Sequence, residues 1–367
     1  MCVHRYRISI CDESRLLTQQ VFVAVAKGQY EDPWPSPSAV PRAAGAHQRV
    51  SNRPRADMPG PISVPRIPLN NGVLFPLVSL GTGGYNSSVA KEAFSLALRL
   101  NLTSVDTALD YGNQPGLAEA IAESGAARRD VFVLSKVPGC GDAPIRPQTA
   151  QGCYNATADA LRADLTALGL DFVDTMLLHS PPTGKVSGCS TAEACALVQA
   201  QWRAMEEFYR QGGARSIGVS NYCEACLDCL SQVQGSVVPA LNQLQYHAGM
   251  GPGPTRSLLA RCNRSGIVVQ AYAPLGGSAS VHPGAPYPLI TDATLAAIGQ
   301  RAGNRSAAQV ALRWIVQQGL PLATKSDRRD YMLADTDIFG FQLREADMAL
   351  LADTPIDPDD PTRHACV

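Results

Sequence analysis

From Val64 onward, short apolar runs alternate with longer segments of helical period, and this alternation constrains the fold more than any other feature. Eight runs read as strands: Leu77–Gly81, Ser104–Ala108, Val131–Lys136, Val173–His179, Arg215–Ser220, Ala240–Tyr246, Val268–Ala273 and Leu320–Thr324. Between them lie helical patterns such as Ala90–Leu100, Gln148–Leu168, Ala192–Gln211, Thr255–Ser265 and Ala307–Gln318. Eight strand–helix units fit one closed barrel. A barrel strand is covered by helices outside and by side chains inside, so it should be almost continuously apolar, as Val131-Phe132-Val133-Leu134 is. The competing architecture, a doubly wound sheet, would carry G-x-G-x-x-G after its first strand, and none is found there. Ahead of the first run, Asn70-Asn71-Gly72 within Ile67–Pro76 is a hairpin turn signature that would close one end of the barrel. The expected fold class is α/β, a (β/α)8 TIM barrel with an N-terminal β-hairpin, over residues 61–367.

Residues 1–60 have a different texture. Pro33, Pro35, Pro37, Pro41, Pro54 and Pro59 punctuate a stretch without sustained period, read as a largely disordered extension. Its mild basic excess leaves organelle targeting open, although the Arg/Ser-rich amphipathic helix of a transit peptide is missing. Thirty-one Lys+Arg against 32 Asp+Glu provide no basic field for nucleic acid or an anionic membrane. The early apolar run Val21–Ala26 is far shorter than a membrane span.

Eleven cysteines, odd in number and spread from Cys2 to Cys366, read as reduced thiols, which favours a cytoplasmic setting. On that reading the Asn-x-Ser/Thr sequons at Asn86, Asn101, Asn155, Asn263 and Asn304 are coincidences of composition. Cys223-x-x-Cys226-x-x-Cys229 resembles half of an iron–sulfur ligand set, but no fourth Cys-Pro follows it. The spacing puts the three thiols on one broad helix face beside Leu227 and Leu230. Cys189 and Cys195 are the only further ligands available to it, and the expectation is a helix face that carries cysteine, with no metal.

In a barrel of this kind catalytic groups collect at the C-terminal ends of the strands. Strand two ends in Asp106-Thr107-Ala108 with Tyr111 a short loop later, strand three ends in Lys136 and strand four in His179. An acid, a phenol, an ammonium and an imidazole on one rim suit proton donation to a carbonyl oxygen. A free phenol is too weak an acid for neutral pH, and an adjacent Lys136 ammonium is expected to lower its pKa. Asp106 would hold that ammonium, and His179 would hydrogen-bond the substrate oxygen. On later strands Ser220, Asn221, Gln243 and Tyr272 offer a hydroxyl and two amides to read a carboxamide, and a ring to stack on its face.

The strings Asp106-Thr107-Ala108-x-x-Tyr111-Gly112-Asn113, Leu177-Leu178-His179, Ile217-Gly218-Val219-Ser220-Asn221-Tyr222, Asn242-Gln243 and Lys325-Ser326 resemble the aldo-keto reductase family in order and spacing. The resemblance covers about Ile62 to Leu351. It implies reduction of aldehydes or ketones with NADPH, NADH being possible, and a catalytic tetrad at Asp106, Tyr111, Lys136 and His179 with Tyr111 as general acid. It also implies cofactor contacts from Gly81, Thr82, Asp106, Ser220, Asn221, Gln243, Tyr272, Pro274, Leu275, Lys325, Ser326, Arg328 and Arg329. Tyr111, His179 and Tyr85 would meet a small-molecule carbonyl substrate, and the chain would be a monomer. A cofactor-binding regulatory subunit with little turnover is the alternative, which erosion of the tetrad would signal, and the tetrad is intact.

Three departures from the family pattern stand out. Tyr331 occupies the place of an Arg that grips the cofactor 2′-phosphate, and Ala334 and Asp335 replace the Glu and Asn that follow. A carboxylate at Asp335 would repel a phosphate, while Arg328 and Arg329 could reach it from the loop. Gly83 and Ser180 stand where the better-studied members carry Trp, which should open the substrate pocket, with Tyr85 filling part of the gap.

Overall fold

The structure, a computed structural model, describes residues 62–141, 149–182, 188–251, 253–276 and 288–355. The proposed extension 1–60 and the tail after Pro355 lie outside the described residues. A hairpin of β1 (Arg66–Pro68) and β2 (Leu74–Pro76) precedes eight parallel strands, β3 (Val78–Gly81), β4 (Ser104–Asp106), β5 (Phe132–Val137), β6 (Val173–Leu178), β7 (Ala214–Ser220), β8 (Leu241–Gln245), β9 (Val268–Tyr272) and β10 (Leu322–Thr324). They close in sequence order, with Leu322 opposite Val78 and Thr324 opposite Leu80 at the seam. All eight strand-like runs are therefore strands of the barrel. Lys136, next to last in β5, and Ser220, the last residue of β7, are fully sheltered, as inward-facing barrel positions should be.

The helices are α1 (Ser87–Arg99), α2 (Gln114–Ser124), α3 (Ala150–Leu168), α4 (Ala192–Arg210), α5 (Glu224–Ser231), α6 (Pro254–Arg264), α7 (Pro288–Thr291), α8 (Ala293–Arg301), α9 (Ala307–Val316), α10 (Arg329–Thr336) and α11 (Glu345–Asp353). Their starts are written locally: Asn86, Thr149, Thr191 and Asp292 each accept a first-turn backbone N–H, and Ser306 forms a reciprocal capping box with Gln309. None of the helices among the described residues is long and apolar enough to cross a membrane.

The hairpin turns through Leu69–Gly72, where the Gly72 N–H meets Leu69 O at 2.9 Å and Gly72 takes φ +86°. This is a type I turn followed by a left-handed residue, one residue longer than the two-residue loop that Asn-Gly suggests. Leu69, Val73 and Phe75 pack on Phe132, Leu134, Leu177 and Leu241, so the hairpin plugs the N-terminal mouth of the barrel. Phe75 meets Phe132 edge-on at 5.2 Å. The opposite mouth is left open for a site.

The cysteines correct the expectation of reduced thiols. Cys140 pairs with Cys153, Cys189 with Cys226 and Cys195 with Cys229, at Cα separations of 5.3, 5.0 and 5.3 Å. Cys223 is also disulfide-bonded, and Cys262 is buried with a free thiol. The shared helix face expected for Cys226 and Cys229 is present, but it packs on the segment that carries Cys189 and Cys195. Sequence separations of 37 and 34 residues conceal that proximity, because it is created by neighbouring βα units meeting on the barrel wall.

Candidate active site

The open mouth carries a cleft of about 500 Å³ lined by Asp106, Tyr111, His179, Asn221, Gln243 and Tyr272, together with Gly81, Gly83, Gly84, Thr324 and Lys325. Its floor is an ion pair. Lys136, at 0% exposure, places Nζ 2.5 Å from Asp106 Oδ1, 2.9 Å from Thr107 O and 3.4 Å from the Tyr111 hydroxyl. The second carboxylate oxygen of Asp106 accepts from Gln243 Nε2 at 2.5 Å, and that amide also reaches Gln270 Oε1 at 2.8 Å. Burial works against the Lys136 charge, but Asp106 and Tyr111 outweigh it and hold the ammonium protonated. Asp106 makes this buried pair instead of capping the helix that follows.

Tyr111 ends a short 3-10 turn, and Gly112 leaves it in the left-handed region at φ +65°. Asn113 fixes this loop: its Nδ2 donates to Thr82 O at 2.8 Å and Tyr85 O at 3.1 Å, and its Oδ1 accepts from Thr107 Oγ1. A Cβ at Gly83 would stand 3.3 Å from the Tyr111 ring and 3.4 Å from its hydroxyl, so the missing side chain keeps the phenol open to the cleft. The electrostatics here correct the expectation of an acidified phenol. Burial raises the Tyr111 pKa, Lys136 lowers it, and Asp106 raises it again, with a net rise. A lysine already paired with a carboxylate supplies less positive field than a lone one.

His179 lies edge-on to Tyr111 at 5.5 Å between ring centroids. Its Nδ1 faces both oxygens of Asp110 at 2.9 and 3.0 Å. Burial raises the Asp110 pKa, but the hydrogen bond and charge of His179, with a backbone hydrogen bond and Lys136, together bring it below the ordinary value. An ionised carboxylate only accepts, so Nδ1 carries the proton, and Nε2 donates only when the ring is an imidazolium. Asp110 was not among the residues singled out from sequence. Its signal was its place between Asp106 and Tyr111, four residues after the first acid, where the motif treats it as a spacer.

The residues expected to read a carboxamide are hydrogen-bonded to one another in a chain. Tyr272 donates its hydroxyl to Asn221 Oδ1 at 2.9 Å, Asn221 Nδ2 donates to His179 O at 3.0 Å, and Ser220 Oγ donates to Gln243 O at 3.0 Å. Asn221 is at φ +60°, where Asn is among the few residues tolerated besides Gly. Pro274 and Leu275 continue the wall, and Lys325 donates to Gly83 O at 3.0 Å with its ammonium 5.0 Å from the Tyr85 ring centre.

The remaining expected contacts do not line the cleft. Thr82 is fully buried and bonds Asp106 O, Tyr85 lies beside Lys325, Ser326 bonds the backbone of Arg328, and Arg329 is exposed. Arg328 stacks its guanidinium 4.4 Å over the Tyr331 ring, against the residue that departs from the family pattern. Asp335 is 7% exposed and accepts from Thr324 Oγ1 at 2.9 Å; burial pushes its pKa up to about 6 against that bond.

The donor set fits a nicotinamide dinucleotide. Amides and a tyrosine ring, glycines without side chains and a lysine cation line the one cleft. A flat carboxamide ring and its phosphates call for these same groups.

Residues 77–354 match the profile of the aldo/keto reductase family. Among similar proteins, morphine 6-dehydrogenase of Pseudomonas putida is 35% identical over 292 residues, covering 78% of this chain and 90% of its own. Glyoxal reductase of Bacillus subtilis is 31% identical over 283 residues, covering 77% and 90%. Among solved structures, an aldo/keto reductase from Brucella melitensis superposes with a TM-score of 0.65 at 30% identity, over 79% of this chain and 98% of that one. An aldo-keto reductase complexed with NADPH, from the silkworm Bombyx mori, gives 0.66 at 28% identity over 80% and 89%.

Proposed function

The chain belongs to the aldo/keto reductase family, and from that premise we propose that it reduces aldehydes or ketones to alcohols with NADPH, using Tyr111 as the proton donor. The observation that carries this reading is the run Tyr111–Lys136–Asp106–Gln243 on the floor of an open cleft. When bound, the reduced nicotinamide supplies a hydride. Ser220, Asn221, Gln243 and Tyr272 would hold its carboxamide end, and Lys325 its phosphates.

The protein's own part is the proton. Burial keeps the Tyr111 phenol protonated throughout the neutral range, so the donor is always loaded. As the carbonyl oxygen gains negative charge it takes that proton, and the phenolate left behind sits beside the Lys136 ammonium at 3.4 Å. Lys136 therefore acts on the charge that develops during reaction, where a fixed cation contributes most. Asp106 and Gln243 keep Lys136 in place without transferring a proton. His179, its ring held by Asp110 through Nδ1, stands beside Tyr111 in the same cleft and is the second polar side chain for that oxygen.

The cleft beside Tyr111 has glycine at 83, so its wall next to the phenol is short. Small aldehydes and dicarbonyls such as glyoxal, which a Bacillus relative's name cites, are the first substrates to assay. Following NADPH oxidation with purified full chain across an aldehyde panel tests the reading: turnover cut about a hundredfold or more by Tyr111→Phe supports it, and turnover close to the parent defeats it.

A further inference from the structure

We propose that this chain matures in an oxidising compartment and is N-glycosylated there, with the sequon asparagines Asn86, Asn101, Asn155, Asn263 and Asn304 as acceptors. Two independent observations converge. One is covalent: six of the eight cysteines among the described residues pair in three disulfides and Cys223 is also bonded, a pattern of secreted and lumenal proteins and not of a reducing cytosol.

The other is the placement of asparagine. Ser and Thr make up roughly one residue in eight, so chance would put a hydroxyl two residues after only one or two of the eleven asparagines; five have one. All five are exposed. The two fully buried asparagines, Asn113 and Asn242, have Pro115 and Leu244 at that position and are not acceptors. None of the five lines the cleft, so glycans on them leave the site open.

Local geometry is compatible with a sugar on the amide nitrogen. Asn86 and Asn155 use Oδ1 as acceptor, from Val89 N and Gln151 Nε2, both at 2.9 Å. Asn101 donates from Nδ2 to Ile62 O at 2.7 Å, and an N-glycosyl amide retains one N–H for that bond. Asn101 and Asn304 take φ +70° and +60°, each at a turn after a helix. Ser306 also caps α9 and Thr157 also bonds Gln201, so the clearest acceptors are Asn86 and Asn101.

The transfer is redox-neutral. A bond forms between sugar C1 and Nδ2, the C1–O bond to the pyrophosphate of a polyprenyl-linked oligosaccharide breaks, and the amide proton leaves with the lipid pyrophosphate.

The test is mass spectrometry of the full chain recovered from cells that make it, before and after peptide N-glycosidase in H₂¹⁸O. The expected result is an intact mass above that of the bare chain, collapsing on digestion, with ¹⁸O-labelled aspartate at two or more of the five positions. An intact mass equal to the bare chain, or no labelled aspartate after digestion, overturns the proposal and leaves the catalytic reading untouched.

Discussion

The Lys136 ammonium stands 2.5 Å from Asp106 Oδ1 with both side chains at most 5% exposed, so the charge beside Tyr111 is half of a buried pair. Breaking such a pair from one side leaves an uncompensated buried charge, typically costing about 3–5 kcal/mol. Lys136→Met is expected to lose most reductase activity and to melt well below the parent. Asp106→Asn with Lys136→Met, which removes both charges, should recover melting temperature and not turnover. Full turnover in Lys136→Met would show that the ammonium does not serve the phenol.

Tyr111→Phe removes the proton donor and little volume. Its kcat/KM for a small aldehyde should fall by about 10²–10⁴, the usual worth of general acid catalysis, while NADPH titration by intrinsic fluorescence gives a Kd within a few-fold of the parent.

Asp110 is expected to act through His179. Asp110→Ala leaves Nδ1 without its carboxylate, a loss of about 1.5 kcal/mol for a charge-assisted bond, and should lower kcat about tenfold with NADPH affinity unchanged. An Asp110→Ala enzyme with parental kcat would remove Asp110 from the site.

Asp335 carries a pH signature. Its folded pKa, about 6, is above the ordinary value of 3.8, so the folded state binds the proton more tightly. That contribution is fully present below pH about 4 and is lost as pH rises through 6, worth roughly 2–3 kcal/mol by linkage. Asp335→Asn should therefore stabilise the protein against urea at pH 8 and make little difference at pH 4. Removing a carboxylate bonded to the cleft residue Thr324 should also tighten NADPH binding at pH 8.

Tyr331 predicts a cofactor effect. NADPH is expected to bind more tightly than NADH through Lys325, and Tyr331→Arg should tighten NADPH by about tenfold while leaving NADH unchanged, as a new guanidinium–phosphate contact would. Equal effects on both cofactors would place residue 331 away from the 2′-phosphate.

The alternation of apolar runs and helical periods was enough to determine the barrel, because strand burial on two sides and helix burial on one are local consequences of where apolar residues fall. That Asp106, Tyr111, Lys136, His179, Ser220, Asn221, Gln243 and Tyr272 meet at one mouth was legible for a related reason: a barrel brings its strand ends to one rim, so the last polar residues of each run already name neighbours. What the sequence could not carry was pairwise. That His179 turns to Asp110, that Arg328 rests on Tyr331, and that Cys189 and Cys195 meet Cys226 and Cys229 depend on side chains of separate βα units coming within a few ångström. The state of the Tyr111 phenol belongs to the same class. Its neighbours were readable, but the balance between burial, one ammonium and one carboxylate exists only once the cleft has closed around all three.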